Sequence, residues 1–548
     1  MRAALRAAAL PALFAVCITV VMTWPLTPRM AHAGRLDTND GRFSVWNVAW
    51  VARTLVTDPR GLYDANIFYP NKGTLAYSEA NLVAGALAIP AYWASGGNPY
   101  LAHNSVLFLS FVLALLATYA LVLHLTGNRV AGLVAGVSFT FCPFIFSHIP
   151  HIQLMMSAGL PASLLAMHRF VDRPSAGRAL ALGAVVALQA LACGYYGLFA
   201  GLLLVPGIVY YGVRRGLWHQ WRYWAGAAGA GLLAIGVVLP FFLPFIEMQQ
   251  GSGFTRTVDE TRQWSAVWSS YLASSAWAHR WLVPHLPPWG EVLYPGTVAL
   301  LFGGLGAVAA WKAPAALRGR EHLWFYGGLM VVMAWASFGP DGGLYRVLHE
   351  YVPLFAWTRA PSRLGLLVVL ALAVLAGFAV AWLLARVRKP ALIGALLVLV
   401  TAGDLLVAPL FMVNATPLPS AYESLKKWPY GPVAEFPFFY LRMDFPRHAE
   451  YMLFSTFHWR PLINGYSDHI PPEFRQMVIP VSSFPNPESF AILKQFRVRY
   501  AIFHLDLYSR TARAELEQRL ERYQAYLRPI RKEDPAWLYE IVAWPPPE

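Results

Sequence analysis

A chain of 548 residues in which 57% are hydrophobic and only 13% charged is excluded from the soluble globular class, where about a quarter of residues carry charge. Its three cysteines, Cys17, Cys142 and Cys193, all fall inside apolar runs, which excludes a disulfide framework and a closed thiolate zinc site. The net charge of +14 sits before Met412, where Lys and Arg outnumber Asp and Glu by 27 to 14 against 16 to 15 from there on; with no basic stripe interleaved with aromatics, nucleic acid is excluded as a partner.

Arg2 and Arg6 precede the first of about eleven apolar runs long enough to cross roughly 30 Å of hydrocarbon. These runs cover residues 8–25, 106–125, 130–147, 152–171, 179–195, 198–213, 223–246, 292–311, 323–338, 364–384 and 391–411. The predicted fold class is an α-helical polytopic membrane protein with a C-terminal extracytoplasmic α/β domain. A membrane domain over 1–411 carries outer loops 27–104 and 247–291, and the second domain covers 412–548. With a cytoplasmic N-terminus, the inside loops hold 15 Lys and Arg, Arg318 among them, against only Asp172 and Glu321. That bias obeys the positive-inside rule, and an odd number of spans puts the C-terminal domain outside. Ala31-His32-Ala33 also fits a signal-peptidase site, which would remove residues 1–33 and leave the later loops on the same side.

The first outer loop opens with Asp37 and Asp40, about a turn apart at the membrane surface. Carboxylates there can take a proton from an acceptor hydroxyl or hold a divalent cation; Asn39-Asp40-Gly41 equally suits a solvated turn. Residues 43–55 have the pattern of an amphipathic helix lying along the interface, with Trp46 and Trp50 on one face. Glu79, in the following loop, assists Asp40 or caps a helix. His148, His151 and Gln153 come next, at the boundary after the third run; they suit a phosphate, a carboxylate or a metal shared with Asp40, or plain interfacial anchoring. Arg359 and Arg363 stand at the outer start of the tenth run, against the charge rule. Four apart, beside a helix start marked by Pro361, they form a candidate phosphate grip, with snorkelling to headgroups as the bland alternative. Gly132 and Gly136 predict close helix packing, and Asp404 inside the last run predicts a hydrogen bond between helices.

In the C-terminal domain, strands are expected over 433–439, 498–504 and 537–542, and a helix over 512–527 with Leu516, Leu520 and Tyr523 on one face. Pro471, Pro472, Pro480, Pro485 and Pro487 predict an irregular loop.

An acid just past the first span, an interfacial helix and a long first outer loop resemble the GT-C superfamily of membrane glycosyltransferases, relatives of the dolichyl-phosphate-mannose protein mannosyltransferases. The Asp40 stretch, with residues 65–70 (ANIFYP) and 74–79 (TLAYSE), is similar to a bacterial branch with a YfhO-type layout, as are the His-x-Gln signal and Arg359-Ala360-Pro361-Ser362-Arg363. The resemblance implies a transferase in a bacterial inner membrane that takes a sugar from a polyprenyl-phosphate carrier to a glycan, lipid or protein acceptor outside. The catalytic acid maps onto Asp40 first and Asp37 second. A divalent cation is a candidate cofactor. Many members carry two adjacent acids where this chain has Asp40-Gly41, so the choice between Asp37 and Asp40 stays open. No P-loop, dinucleotide fingerprint or nucleophile elbow is present, in keeping with a carrier-linked donor. A transporter or flippase of lipid-linked glycans is the competing class, but it calls for ionisable groups near the midplane. A fold relative without catalysis, binding through its tail, is the third.

Overall fold

The computed structural model describes residues 2–252, 256–288, 290–312 and 319–546; Arg318 of the inside loops lies outside them. The chain divides into two compact units, one comprising Met1–Arg29, Ser105–Leu243 and Gly253–Phe411, the other Met30–Asn104, Pro244–Ser252 and Met412–Glu548. The first outer loop thus shares a unit with the C-terminal segment, a partition invisible to hydropathy.

Among the described residues six helices are long and apolar enough to cross a membrane: Pro99–Thr126, Arg129–Ser147, Ile152–Asp172, Gly194–Arg214, Trp221–Gly251 and Pro361–Leu384. The expected runs 8–25, 179–195, 292–311 and 391–411 fold as shorter apolar helices at Ala9–Met22, Ala176–Ala192, Thr297–Trp311 and Pro390–Asp404. A further one, Leu82–Ala94, lies in the first outer loop, where no span is expected.

At the centre of the first unit is the helix Gly365–Leu384, buried almost throughout and packed on Arg129–Thr140, Thr297–Trp311 and Gly319–Ser337. Its Leu, Val and Ala side chains suit membrane helices, which associate by close packing rather than by exclusion of water. A side chain on the first turn of a central helix is carried inside with it, and Pro361, Ser362, Arg363 and Leu364 are all buried. Gly132 and Gly136 let Arg129–Thr140 approach its neighbour as expected, since a methyl group on either would reach the carbonyls of Tyr119 and Leu115 at 2.9 and 3.0 Å. Asp172 and Glu321, the two acids of the loops expected to face inside, both pair with Arg215, at 2.5 and 2.7 Å.

The sheet of the second unit has four strands, β1 (Val433–Phe436), β2 (Tyr500–His504), β3 (Leu527–Glu533) and β4 (Ala536–Ile541), in the order β1-β2-β4-β3. β1 and β2 run parallel with Val433 opposite Tyr500, and β4 is antiparallel to both β2 and β3. The fully buried β1 and β2 read as apolar runs because both of their faces are covered. β3 was not expected: its Arg528, Arg531 and Lys532 face solvent, as charge does on edge strands. The preceding helix therefore stops at Arg522 rather than at 527. The proline-rich stretch is a correction too. It forms helices Pro472–Ser482 and Pro487–Gln495, each with proline in the first turn, where a missing N–H costs nothing.

The segment expected to lie along the interface is the helix Asn39–Thr57, and its tryptophans are core residues of the second unit. Trp46 donates its indole N–H to Asn66 Oδ1 (3.2 Å) and Trp50 to the Leu62 carbonyl (2.9 Å). A stripe of tryptophans suits a packed face as well as a headgroup layer, and the tail supplies the packing partner.

Candidate active site

Asp40 is the second residue of Asn39–Thr57, whose N-cap Thr38 accepts the Gly41 N–H at 3.0 Å. A carboxylate in a helix's first turn is favoured by the dipole. The Tyr466 hydroxyl donates to Asp40 Oδ1 at 3.1 Å. Asp37 is disposed differently, gripped by the Arg35 guanidinium through two bonds of 2.9 and 3.0 Å. Those bonds to Arg35 hold its carboxyl below the usual carboxylate range, which makes Asp37 the poorer proton acceptor. Gly41 explains the departure from paired acids: a Cβ there would stand 1.9 Å from the Arg35 carbonyl oxygen. Gly41→Ala is expected to destabilise the second unit by about 1–3 kcal/mol, as overpacking does, read as an earlier unfolding midpoint.

Residues 464–469 (NGYSDH), in the C-terminal segment, run beside the first outer loop. Phe68 N–H donates to the Asn464 carbonyl, Tyr69 N–H to that of Leu462, and Leu462 N–H to that of Asn66. Residues 65–70, which the resemblance includes, are therefore tied by backbone hydrogen bonds to the C-terminal segment. Ser78 Oγ donates to Asp468 Oδ2 at 3.3 Å, and His469 N–H donates to the Tyr77 carbonyl at 2.9 Å. Burial, and secondarily Arg475, lowers the His469 pKa, so its ring is neutral near pH 7. Glu79 is half-buried, its carbonyl accepting from Asn47 and Asn81 side chains at 3.3 Å each. Tyr466, Asp468 and His469 were missed; the only signal was this polar run between Ile463 and the prolines.

The first unit gathers the other group. Arg363 is 7% exposed, its guanidinium carbon 4.3 Å over the Tyr195 ring. Its Nε has no hydrogen-bond partner among the described residues. His148 is equally buried; Nδ1 lies 2.8 Å from the Phe144 carbonyl and Nε2 3.5 Å from Glu291 Oε2. Burial, then Arg363, pushes the His148 ring down to about 3. The His151 ring is 6.1 Å from that of His148. Arg359 lies 5.3 Å over Trp264 and donates its backbone N–H to the Tyr195 hydroxyl. Gln153 is half-buried. Glu291 was missed because it ends a loop directly before an apolar run, where an acid needs no explanation.

Asp404 is a helix tie, as expected: His279 Nε2 lies 2.9 Å from Oδ1, and the Val298 N–H donates to Oδ2 at 3.1 Å. Among the described residues no three His, Cys, Asp or Glu side chains gather as metal ligands.

With six long apolar helices among the described residues and a small mixed sheet in the other unit, the chain is similar in fold to solved membrane proteins of the GT-C type. The arabinofuranosyltransferase AftD from Mycobacteria is similar over 97% of this chain and 41% of its own, at 17% identity and a TM-score of 0.55. The oligosaccharyltransferase AglB from Archaeoglobus fulgidus aligns over 95% of this chain and 72% of its own (12% identity, TM-score 0.45). ArnT from Cupriavidus metallidurans aligns over 99% and 100% (15% identity, TM-score 0.42). No family profile and no curated protein sequence matches the chain.

Proposed function

We propose that the protein is a glycosyltransferase that moves a sugar from a polyprenyl-phosphate carrier to an acceptor hydroxyl on the outer face of a bacterial inner membrane. What carries this reading is Arg363, a buried guanidinium whose Nε is unsatisfied. A buried donor left without an acceptor is costly, and it persists where a ligand supplies that acceptor. The planar fork of arginine matches two phosphate oxygens. AftD, which shares the fold, is an arabinofuranosyltransferase.

In this reading Asp40, oriented by Tyr466, takes the proton from the acceptor hydroxyl as its oxygen bonds to the anomeric carbon. The bond from that carbon to the carrier phosphate breaks and its electron pair leaves with the phosphate. Arg363 and Arg359 stabilise the charge that develops there. The test is incubation of the purified protein in vesicles with polyprenyl-phosphoryl pentoses and hexoses and a panel of acceptors. Transfer from at least one such donor supports the reading; transfer only from nucleotide sugars, or from none, overturns it.

The orientation belongs to the same reading. In a Cys17→Ser background, since Cys17 is exposed while Cys142 and Cys193 are buried, Ser175→Cys and Arg388→Cys are expected to be shielded from an impermeant outside thiol reagent. Ser509→Cys is expected to react. Labelling of Ser175→Cys from outside contradicts the orientation.

A further inference from the structure

Near Arg363 lies a second buried charge-bearing group that the mechanism above leaves unused. Glu291, 8% exposed, lies beside His148, 7% exposed, and within electrostatic reach of Arg363 and His151. Two demands meet on this one carboxyl. The first comes from Arg363, whose Nε has no hydrogen-bond partner among the described residues and to which an anionic Glu291 supplies favourable charge.

The second comes from the His148 tautomer. Ser147 Oγ donates to the Phe144 carbonyl at 2.8 Å, and His148 Nδ1 lies 2.8 Å from that carbonyl and 3.0 Å from Ser147 Oγ, so the ring proton belongs on Nδ1. His148 Nε2 then presents a lone pair to Glu291 Oε2, 3.5 Å away. Two acceptors face each other unless the carboxyl carries a proton, in which case O–H points at nitrogen. An anionic Glu291 therefore serves Arg363, and a protonated one serves His148.

We propose that Glu291 is a proton-operated counter-ion: it occupies Arg363 electrostatically in the ligand-free protein, and a phosphodiester entering the pocket takes Arg363 over while one proton from solvent binds Glu291 and turns it to His148. This rests on the reading of Arg363 as a phosphate grip and adds a regulation to that site. Burial raises the Glu291 carboxyl above the ordinary carboxylate value, while Arg363 works against that shift. An entering negative charge raises it further. The sign follows by linkage: a complex that holds one more proton than the free protein is favoured as pH falls and weakened as pH rises. His148 stays neutral throughout, held down by burial and Arg363. Cys193, Tyr195 and Tyr196 are further titratable groups that act on Arg363. His151 also acts electrostatically on Glu291 and needs its own control.

The probe is farnesyl methyl phosphate, a diester with a single charge across the neutral range, bound to the full-length protein in phosphatidylcholine nanodiscs. The parent is expected to lose affinity as pH rises, by up to about tenfold per pH unit. Glu291→Gln, which keeps the shape of the protonated side chain, is expected to flatten the profile and to bind more tightly than the parent at the alkaline end. His151→Gln is expected to keep the slope. Calorimetry on the parent in buffers of different ionisation enthalpy reads the proton directly and does not depend on either variant folding. A Glu291→Gln profile as steep as the parent's, a slope abolished by His151→Gln, or binding without proton uptake overturns the proposal while leaving the phosphate grip standing. No binding of the diester by the parent at any pH removes the grip, and this inference with it.

Discussion

Asp40→Asn is expected to lower sugar transfer by about 10²- to 10⁴-fold, the usual contribution of a positioned general base, with donor binding and folding nearly unchanged. The amide keeps an oxygen to accept from the Tyr466 hydroxyl, now 3.1 Å from Oδ1, so the site keeps its shape. What is lost is the proton acceptor, together with about 0.3–1 kcal/mol of favourable charge at the helix start. Asp37→Asn is the matched comparison. Asp37 is taken up by Arg35 at 2.9 Å, so its amide variant is expected to transfer sugar at close to the parental rate. The measurement is initial rate at saturating donor and acceptor for both variants beside the parent. Loss in Asp37→Asn with full activity in Asp40→Asn would exchange their roles.

Substitution of Arg363 is expected to separate function from stability. Arg363→Lys keeps a charge but not the planar fork, and a lost hydrogen bond between charged groups, about 1.5–3 kcal/mol, raises the donor concentration needed for half-maximal rate about ten- to a hundredfold. Arg363→Met removes the charge and is expected to abolish donor use. Its thermal stability is nevertheless expected to hold or rise. A buried guanidinium with an unsatisfied Nε costs about 1–3 kcal/mol, against about 0.5–2 kcal/mol from its place over Tyr195. A residue kept only to anchor or pack the helix would behave in the opposite way, with activity surviving in the lysine variant and stability falling in the methionine one.

The parts of this fold legible in the sequence are those whose pattern has one cause. β1 and β2 are apolar because both faces are covered, and Gly132 and Gly136 are small because a backbone lies against them. Trp46 and Trp50 have two causes, since a tryptophan face suits a headgroup layer and a protein core equally, and only the tail's proximity decides between them. β3 and the proline-headed helices were hidden by charge on an edge and by prolines in first turns.

The candidate site divides along the same line. Asp40 and Arg363 stand out locally, one just past a span and the other against the charge rule. Their partners do not. Tyr466 is 426 residues from Asp40, and Glu291 acquires meaning only beside His148 and Arg363. Chain distance, rather than weakness of the interaction, made them illegible.

The claim on which the functional reading depends is that the Arg363 pocket holds the phosphate of a lipid-linked donor. A density map of the full-length protein with a non-transferable polyprenyl phosphonate analogue tests it most directly. The account predicts phosphonate oxygens within hydrogen-bond distance of the Arg363 guanidinium, with the sugar on the side from which an acceptor enters. Density for the phosphonate at another site, with none at the Arg363 guanidinium, would contradict it.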